Sequence, residues 1–155
     1  MMSDINQFII FKLATEEFGV EITKVQEIIK PQAVTKLPQT ANFIEGIINL
    51  RGDIITIIDL RKRLDFELNT DSEDRILVVK INGVDVGFIV DDASEVIRID
   101  SEKISKSSGG IAGIKNEYID GIGKLEDRLI ILLNLDKLLS TEEKVTLEEI
   151  AESHQ

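Results

Sequence analysis

The sequence predicts a mainly all-β fold, made of two copies of one β-unit and finished by a C-terminal helix. Three observations predict it. The 155 residues include 26 Ile and 10 Val, so the apolar mass is β-branched, stiff at χ1 and suited to pleated sheet. Phe8 to Lys30 aligns without gaps with Ile76 to Arg98, 68 positions on, keeping Lys12/Lys80, Gly19/Gly87, Glu27/Glu95 and Ile29/Ile97. Gly46 to Leu64 then aligns with Gly121 to Leu139, 75 positions on, with seven identities in 19 positions and in the same order. Each copy spans roughly 70 residues, near the lower limit for an independent core, so the halves are expected to lean on each other.

Taken in order, Phe8–Leu13 and Phe18–Ile22 read as strands, with Thr15-Glu16-Glu17 as a turn that lacks Gly. Pro31 and Pro38 bracket residues 31–42, an ordered loop or edge, because Pro cannot donate to a ladder. Asp53–Ile58 is a nearly continuous apolar run, a strand covered on both faces or shared between core and interface. Asp59 then caps a short helical turn, Leu60–Leu64. Asp65–Asp74, with five acidic residues, reads as a solvated connector between the copies.

In the second copy, Ile76–Ile81 and Val84–Val90 flank Asn82-Gly83, the strongest two-residue hairpin signal. Ser105–Gly113 is a polar, Gly-rich insertion that accounts for the growth of the offset. Arg128–Leu133, Asn134 and Leu135–Leu139 repeat the strand, cap and helical turn. Ser140-Thr-Glu-Glu143 is a capping-box pattern, with a second at Thr146–Glu149, opening an acidic helix over about 141–152 whose apolar positions are Val145, Leu147, Ile150 and Ala151. Subdomain one is expected at about 14–70 and subdomain two at about 71–140, with strand 7–13 able to pair with either.

Eighteen basic against 29 acidic residues give a net charge of −11, which repels nucleic acid and anionic lipid. Without Cys there is no disulfide, thiolate nucleophile or Cys-zinc site. The N-terminus lacks a signal-peptide pattern and the longest apolar run is Leu129 to Leu133, so the chain reads as soluble, cytoplasmic and not inserted in a membrane. His154, the only His, sits in a polar tail, which removes imidazole catalysis and ligation. Gly109–Gly113 lacks the Lys-Ser/Thr of a phosphate loop, and Gly121-Ile-Gly123 is not completed as a dinucleotide fingerprint.

What remains is a choice between two kinds of site. Asp91-Asp92, with Asp59 or Glu95 folded nearby, could ligate a divalent cation, although capping of a strand-end turn is the weightier reading. Arg51 sits between two apolar strands, where Gly52 permits a tight turn that presents the guanidinium. It either pairs internally with Glu27, Asp53 or Asp59, or meets a partner. The flanking aliphatics Val25, Ile28, Ile47, Ile48, Ile55 and Ile57 exceed what the inside of one small barrel can bury, so some are expected to line partner surfaces.

Phe18-Gly-Val-Glu-Ile22 with Lys24–Ile28, Phe43-Ile-Glu-Gly-Ile-Ile-Asn-Leu-Arg-Gly52, Ile58-Asp-Leu-Arg61, Val90-Asp91, and Tyr118-Ile-Asp-Gly-Ile-Gly123 with Ile131–Leu139 resemble the CheW family of bacterial chemotaxis coupling proteins, from about residue 7 to 143. The resemblance implies two five-stranded SH3-like barrels packed together, no catalysis and no cofactor. It implies an adaptor that joins the cytoplasmic tip of methyl-accepting chemoreceptors to the regulatory domain of the histidine autokinase CheA. Carried over residue by residue, the receptor groove would involve Ile22, Val25, Glu27, Gly46, Asn49, Arg51 and Val96. Kinase contacts would use exposed apolar barrel ends near Ile76, Leu77, Val86, Gly87 and Phe88. The chain would be a monomer alone, recruited through its partners to membrane-associated receptor arrays. Thr56 stands where the family often has Pro, and the chain ends near residue 155 with no receiver or phosphotransfer domain, so a free-standing adaptor is expected. The competing readings are a carboxylate-metal hydrolase on Asp59, Asp91 and Asp92, and a generic SH3-like protein-binding module, against which the near absence of Trp and Tyr counts.

Overall fold

The β-branched runs form strands throughout the computed structural model, which describes residues 5–37, 43–68, 73–106 and 114–153. They are β1 (Ile5–Leu13), β2 (Glu16–Glu21), β3 (Val25–Ile29), β4 (Ile44–Leu50), β5 (Asp53–Asp59), β6 (Asp74–Ile81), β7 (Val84–Asp100), β8 (Ile104–Ser105), β9 (Ile119–Leu125) and β10 (Arg128–Leu133). A short helix α1 (Leu60–Arg63) follows β5, a 3-10 turn over Leu135–Leu138 follows β10, and α2 (Thr141–Ser153) closes the chain. Asp59 and Asn134 cap the two turns as expected, accepting from the backbone N–H of Arg61 and Lys137. Pro38, Gly109 to Gly113 and His154 lie outside the described residues.

Strand pairing divides the sheet into two halves, both crossed by the 17-residue β7. The first half holds β3, β4, β5, β6 and the start of β7, and the second holds the end of β7 with β1, β2, β8, β9 and β10. This is not chain order: the first hairpin of each copy completes the sheet of the other. β1 lies antiparallel to the end of β7, with Phe8 opposite Ile97 and Val96 opposite Ile9, while β2 runs parallel to β10 with Gly19 opposite Leu132. Shifted by the repeat offsets, these are the pairs Ile76 with Ile29, Ile28 with Leu77 and Gly87 with Ile57, all of which are present. The two exchanged hairpins therefore sit in the same register.

The recurring glycine follows from this exchange. A Cβ on Gly19 would meet Leu132 at 3.0 Å and Ile130 at 3.3 Å, and on Gly87 it would meet the twins of those residues, Ile57 at 2.8 Å and Ile55 at 3.4 Å. Only Gly lets the parallel strands approach so closely over bulky neighbours. At the hairpin turns, Asn82 (φ 50°) and Gly83 (φ 80°) form the expected two-residue loop of the primed type. In the first copy the turn is Ala14-Thr15, not Thr15-Glu16-Glu17: Leu13 already faces Glu16, and Ala14 takes the positive φ of 57°.

Continuous apolar runs are explained by burial on both faces. On β1, Phe8 and Ile10 point into the interior of the second half with Ile99, Ile130 and Leu132, while Ile9, Phe11 and Leu13 join a core shared between the halves. Their twins divide likewise, Ile76 and Val78 facing the interior of the first half and Leu77, Val79 and Ile81 the shared core. The helix α2 lays Leu147 and Ile150 onto that shared core. Its start is a reciprocal capping box, with Ser140 N–H donating to Glu143 Oε1 at 2.8 Å and Glu143 N–H to Ser140 Oγ at 3.1 Å. The Thr146 hydroxyl instead donates to the carbonyl of Glu142 within the helix.

Where β7 passes between the halves, a buried arginine ties four segments together. Arg61 Nε and Nη2 donate to the two oxygens of Asp59 at 3.0 and 2.9 Å, and Nη1 donates to Asp91 at 2.8 Å and Asp74 at 3.0 Å. The other oxygen of Asp91 accepts from the backbone N–H of Ala14 at 3.2 Å, bringing in the β1–β2 turn. Burial alone would lower the Arg61 pKa, but the Asp59 hydrogen bond and the charges of Asp59, Asp74 and Asp91 outweigh it and hold the guanidinium above its ordinary value.

Two outcomes follow for the fold. Arg61→Ala strands buried carboxylates and is expected to cost about 3–5 kcal/mol, read as a lower denaturant midpoint at unchanged slope. Peptides spanning residues 1–70 and 71–155 should each lack cooperative structure alone, because each gives its hairpin to the other, and should regain β circular dichroism when mixed. Independent folding of either peptide would contradict the exchange.

Candidate functional site

The hairpin joining β4 and β5 is set by its two loop residues. Leu50 pairs with Asp53, leaving Arg51 (φ 53°) and Gly52 (φ 91°) as a two-residue turn with both φ values positive. Asn49 Oδ1 accepts from the Gly52 N–H at 2.9 Å, which fixes the tip. Arg51 is thereby held in the left-handed region, unusual for a residue with a Cβ, and its side chain is 67% exposed. Its Nη2 donates to Glu27 Oε2 on β3 at 2.5 Å. The internal pairing with Glu27 is thus present, while the side chain also faces solvent. An exposed pair of this kind adds about 0–1 kcal/mol to stability, so its geometry matters more for presenting the guanidinium than for folding.

The remaining residues of the expected receptor groove take different places. Ile22, in the 3-10 turn Ile22–Lys24, and Val25 at the start of β3 pack half-buried on the shared core. Val96 stands on the second half, across from Ile9 of that same core, and is 51% exposed. Its repeat twin is Ile28, 38% exposed, so both halves present an aliphatic at this position. Gly46 is buried and serves the backbone, since at φ 147° a Cβ would come within 2.2 Å of the Thr35 carbonyl oxygen. Thr35 and Ile47 exchange both backbone hydrogen bonds there, at 2.8 and 2.9 Å, closing the first half over β4.

The expected kinase-facing set is not at a surface. Ile76, Leu77, Val86 and Phe88 are at most 1% exposed and Gly87 is buried beneath Ile57 and Ile76. They belong to the exchanged hairpin, and burial on both its faces removes their side chains from reach of any partner. The Asp59, Asp91 and Asp92 reading is corrected in the same way. Asp59 and Asp91 hold the Arg61 guanidinium, and Asp92 Oδ1 accepts from the Glu73 N–H at 2.8 Å in a kinked strand where Asp92 has φ 47°. A cation occupies the place that a metal would need.

Sequence reasoning missed a second, half-buried arginine cluster. Arg128, at the start of β10, bonds to Glu17 and, at 3.0 Å, to Glu95. The Glu17 hydrogen bond and then that of Glu95 raise its pKa above the ordinary value. Glu95 is the twin of Glu27, and the identity of that pair in the repeat was the available signal. The arginine itself was hidden because it is displaced by two positions, Glu126 standing where Arg51 stands in the first half. Among the described residues no helix is long and apolar enough to cross a membrane.

Comparison with known proteins agrees with this architecture over most of its length. Residues 7–143 match the CheW-like domain family. The chain is 38% identical to the chemotaxis protein CheW of Klebsiella aerogenes, over 96% of this chain and 90% of that one. It is 34% identical to the chemotaxis protein CheW of Bacillus subtilis, over 88% of each. The crystal structure of the scaffolding protein TtCheW from Thermoanaerobacter tengcongensis superposes with a TM-score of 0.81 at 39% identity, covering 92% of both chains. With its repeat, its exchanged hairpins and this match across both halves, the chain belongs to the CheW-like domain family.

Proposed function

We propose that the protein is a non-catalytic chemotaxis scaffold that binds a chemoreceptor tip and the regulatory domain of the kinase CheA, holding the kinase under receptor control. The observation that carries this reading is the similarity, through both halves, to chemotaxis CheW proteins and to a chain described as a scaffolding protein. The site geometry supports it. Arg51 is presented on a fixed tip beside Glu27, and Ile22, Val25 and Val96 offer apolar area around the shared core. Such a surface suits a helical receptor hairpin, where apolar contacts supply affinity and an arginine fixes orientation.

Mechanically, the work is positional. Two partners seated on one rigid body influence each other through a coupling free energy, typically ~1–3 kcal/mol, without any bond being made or broken by the scaffold. The protein acts in the cytoplasm and reaches receptor arrays through its partners. Its kinase-facing surface lies elsewhere than on the buried side chains of Ile76, Leu77, Val86 and Phe88.

Arg51→Ala is expected to leave folding within about 1 kcal/mol of the parent, since the Glu27 pair is exposed. In a titration of the full chain, it should weaken binding to a receptor cytoplasmic fragment by about tenfold or more while leaving binding to the CheA regulatory domain unchanged. A folded parent that binds neither partner would overturn the scaffold reading. Undiminished receptor binding by Arg51→Ala would remove Arg51 from the contact.

A further inference from the structure

The turn that presents Arg51 depends on its two polar neighbours in the chain, Asn49 and Gly52. The β4–β5 ladder ends with Leu50 opposite Asp53, so the Gly52 N–H at the tip has no strand to donate to. Asn49 supplies the missing acceptor, its Oδ1 taking that N–H at 2.9 Å. Gly52 itself stands at φ 91°, where any side chain is strained, although a Cβ there would meet no atom within 4 Å. The demand at Gly52 is therefore one of backbone conformation and not of space.

The second half makes a loop of the same length without these two residues. Leu125 pairs with Arg128, and Glu126 and Asp127 stand in the places of Arg51 and Gly52. Glu126 keeps a positive φ of 49°, but Asp127 does not. Lys124 stands for Asn49, and an ammonium group donates only, so it offers no acceptor to the turn. One framework thus carries two different turns, and the tip with both φ values positive is the one with a side-chain acceptor behind it. Asn49 also stands apart from the other residues of the expected receptor groove. It lines a cleft with Val84 and with Ala151 of α2, and none of Ile22, Val25, Glu27 and Val96 lines that cleft.

We propose that Asn49 is a positioning residue for Arg51, acting on a receptor through the tip and not by touching it. This rests on the scaffold reading above, and it changes the role that the resemblance gives Asn49 from contact to support. The left-handed conformation is costly for Arg51, which carries a Cβ, and the bond from Gly52 to Asn49 holds the turn there. Glu27 then takes the guanidinium from the side of β3, so that backbone and side chain are both held before any partner arrives. An arginine fixed in advance does not have to be ordered at the interface, and that preorganisation is what Asn49 adds to affinity. With the acceptor removed, the Gly52 N–H turns to water and the tip is released from its single conformation.

The test is a double-mutant cycle on the full chain, titrated with a receptor cytoplasmic fragment, with each variant shown to be folded by circular dichroism. Asn49→Ala should weaken binding by about fivefold in the parent and by less than about twofold once Arg51→Ala is present, because support has no effect without the group it supports. Asn49→Asp keeps the acceptor and loses the amide donors, so at high salt, where its added charge is screened, it should bind within about twofold of the parent. In the free chain labelled with 15N, backbone order parameters at Arg51 and Gly52 should fall in Asn49→Ala and stay at the parent values in Asn49→Asp. Equal losses with and without Arg51, a loss in Asn49→Asp as large as in Asn49→Ala, or unchanged order parameters in Asn49→Ala would overturn the positioning role and leave the scaffold reading in place. A folded parent that binds no receptor fragment would overturn that reading and this role with it.

Discussion

The rest of the structure depends on the exchange of hairpins between the two copies. A unit of about 70 residues is close to the smallest that can bury a core of its own. Here neither copy keeps its own first hairpin, and each sheet is finished by strands from the other copy in the same register. The consequence is a third core between the halves, larger in membership than either interior, built from Phe11, Phe18, Val86, Phe88 and their neighbours. Motion of one half against the other would have to bend the shared β7 and open that apolar packing. A scaffold that holds partners in fixed relation needs that stiffness.

The exchange forces β7 to cross from one half to the other, and the crossing is where polar chemistry is concentrated. A strand that bends at Asp92 leaves backbone groups and carboxylates near the core, and Arg61 gathers them: Asp59 from the end of β5, Asp74 from the start of β6 and Asp91 from β7. A buried ion cluster is not by itself evidence of stability, because desolvation offsets much of the attraction. Its service here is register, since each carboxylate belongs to a different segment and only one arrangement satisfies them all. The second half has no such cluster at the matching place. Asn134, Asp136 and Thr23 stand in the places of Asp59, Arg61 and Asp91, so the two halves are alike in backbone and unlike in side chains.

Much of this was legible in the sequence, and what was not has physical reasons. The β-branched composition, the repeat, Asn82-Gly83 and Ser140–Glu143 act locally, so the strands, the primed turn and the capping box could be read from neighbouring residues. The exchange is non-local: a repeat shows that two units share a pattern, but the same pattern fits a hairpin pairing within its own copy or across to the other. Ile76, Leu77, Val86 and Phe88, placed at barrel ends by the resemblance, lie instead in cores because the hairpin that carries them is covered on both faces. Asp91 and Asp92 read as a turn or a metal site because no local pattern signals that Arg61 reaches Asp91 from 30 positions away. Arg51 and Gly52 were legible, because two positive-φ residues between apolar strands leave the arginine little choice but the tip.

The central claim is that the exchanged hairpins make both halves one cooperative body. Native-state amide hydrogen exchange under conditions that report opening free energies tests it most directly. The account predicts that amides in the β3–β6 ladder of the first half and in the β1–β7 ladder of the second exchange through the same opening, with the free energy of global unfolding. A lower opening free energy confined to one ladder, with the other still protected, would show two units that merely touch and would contradict it.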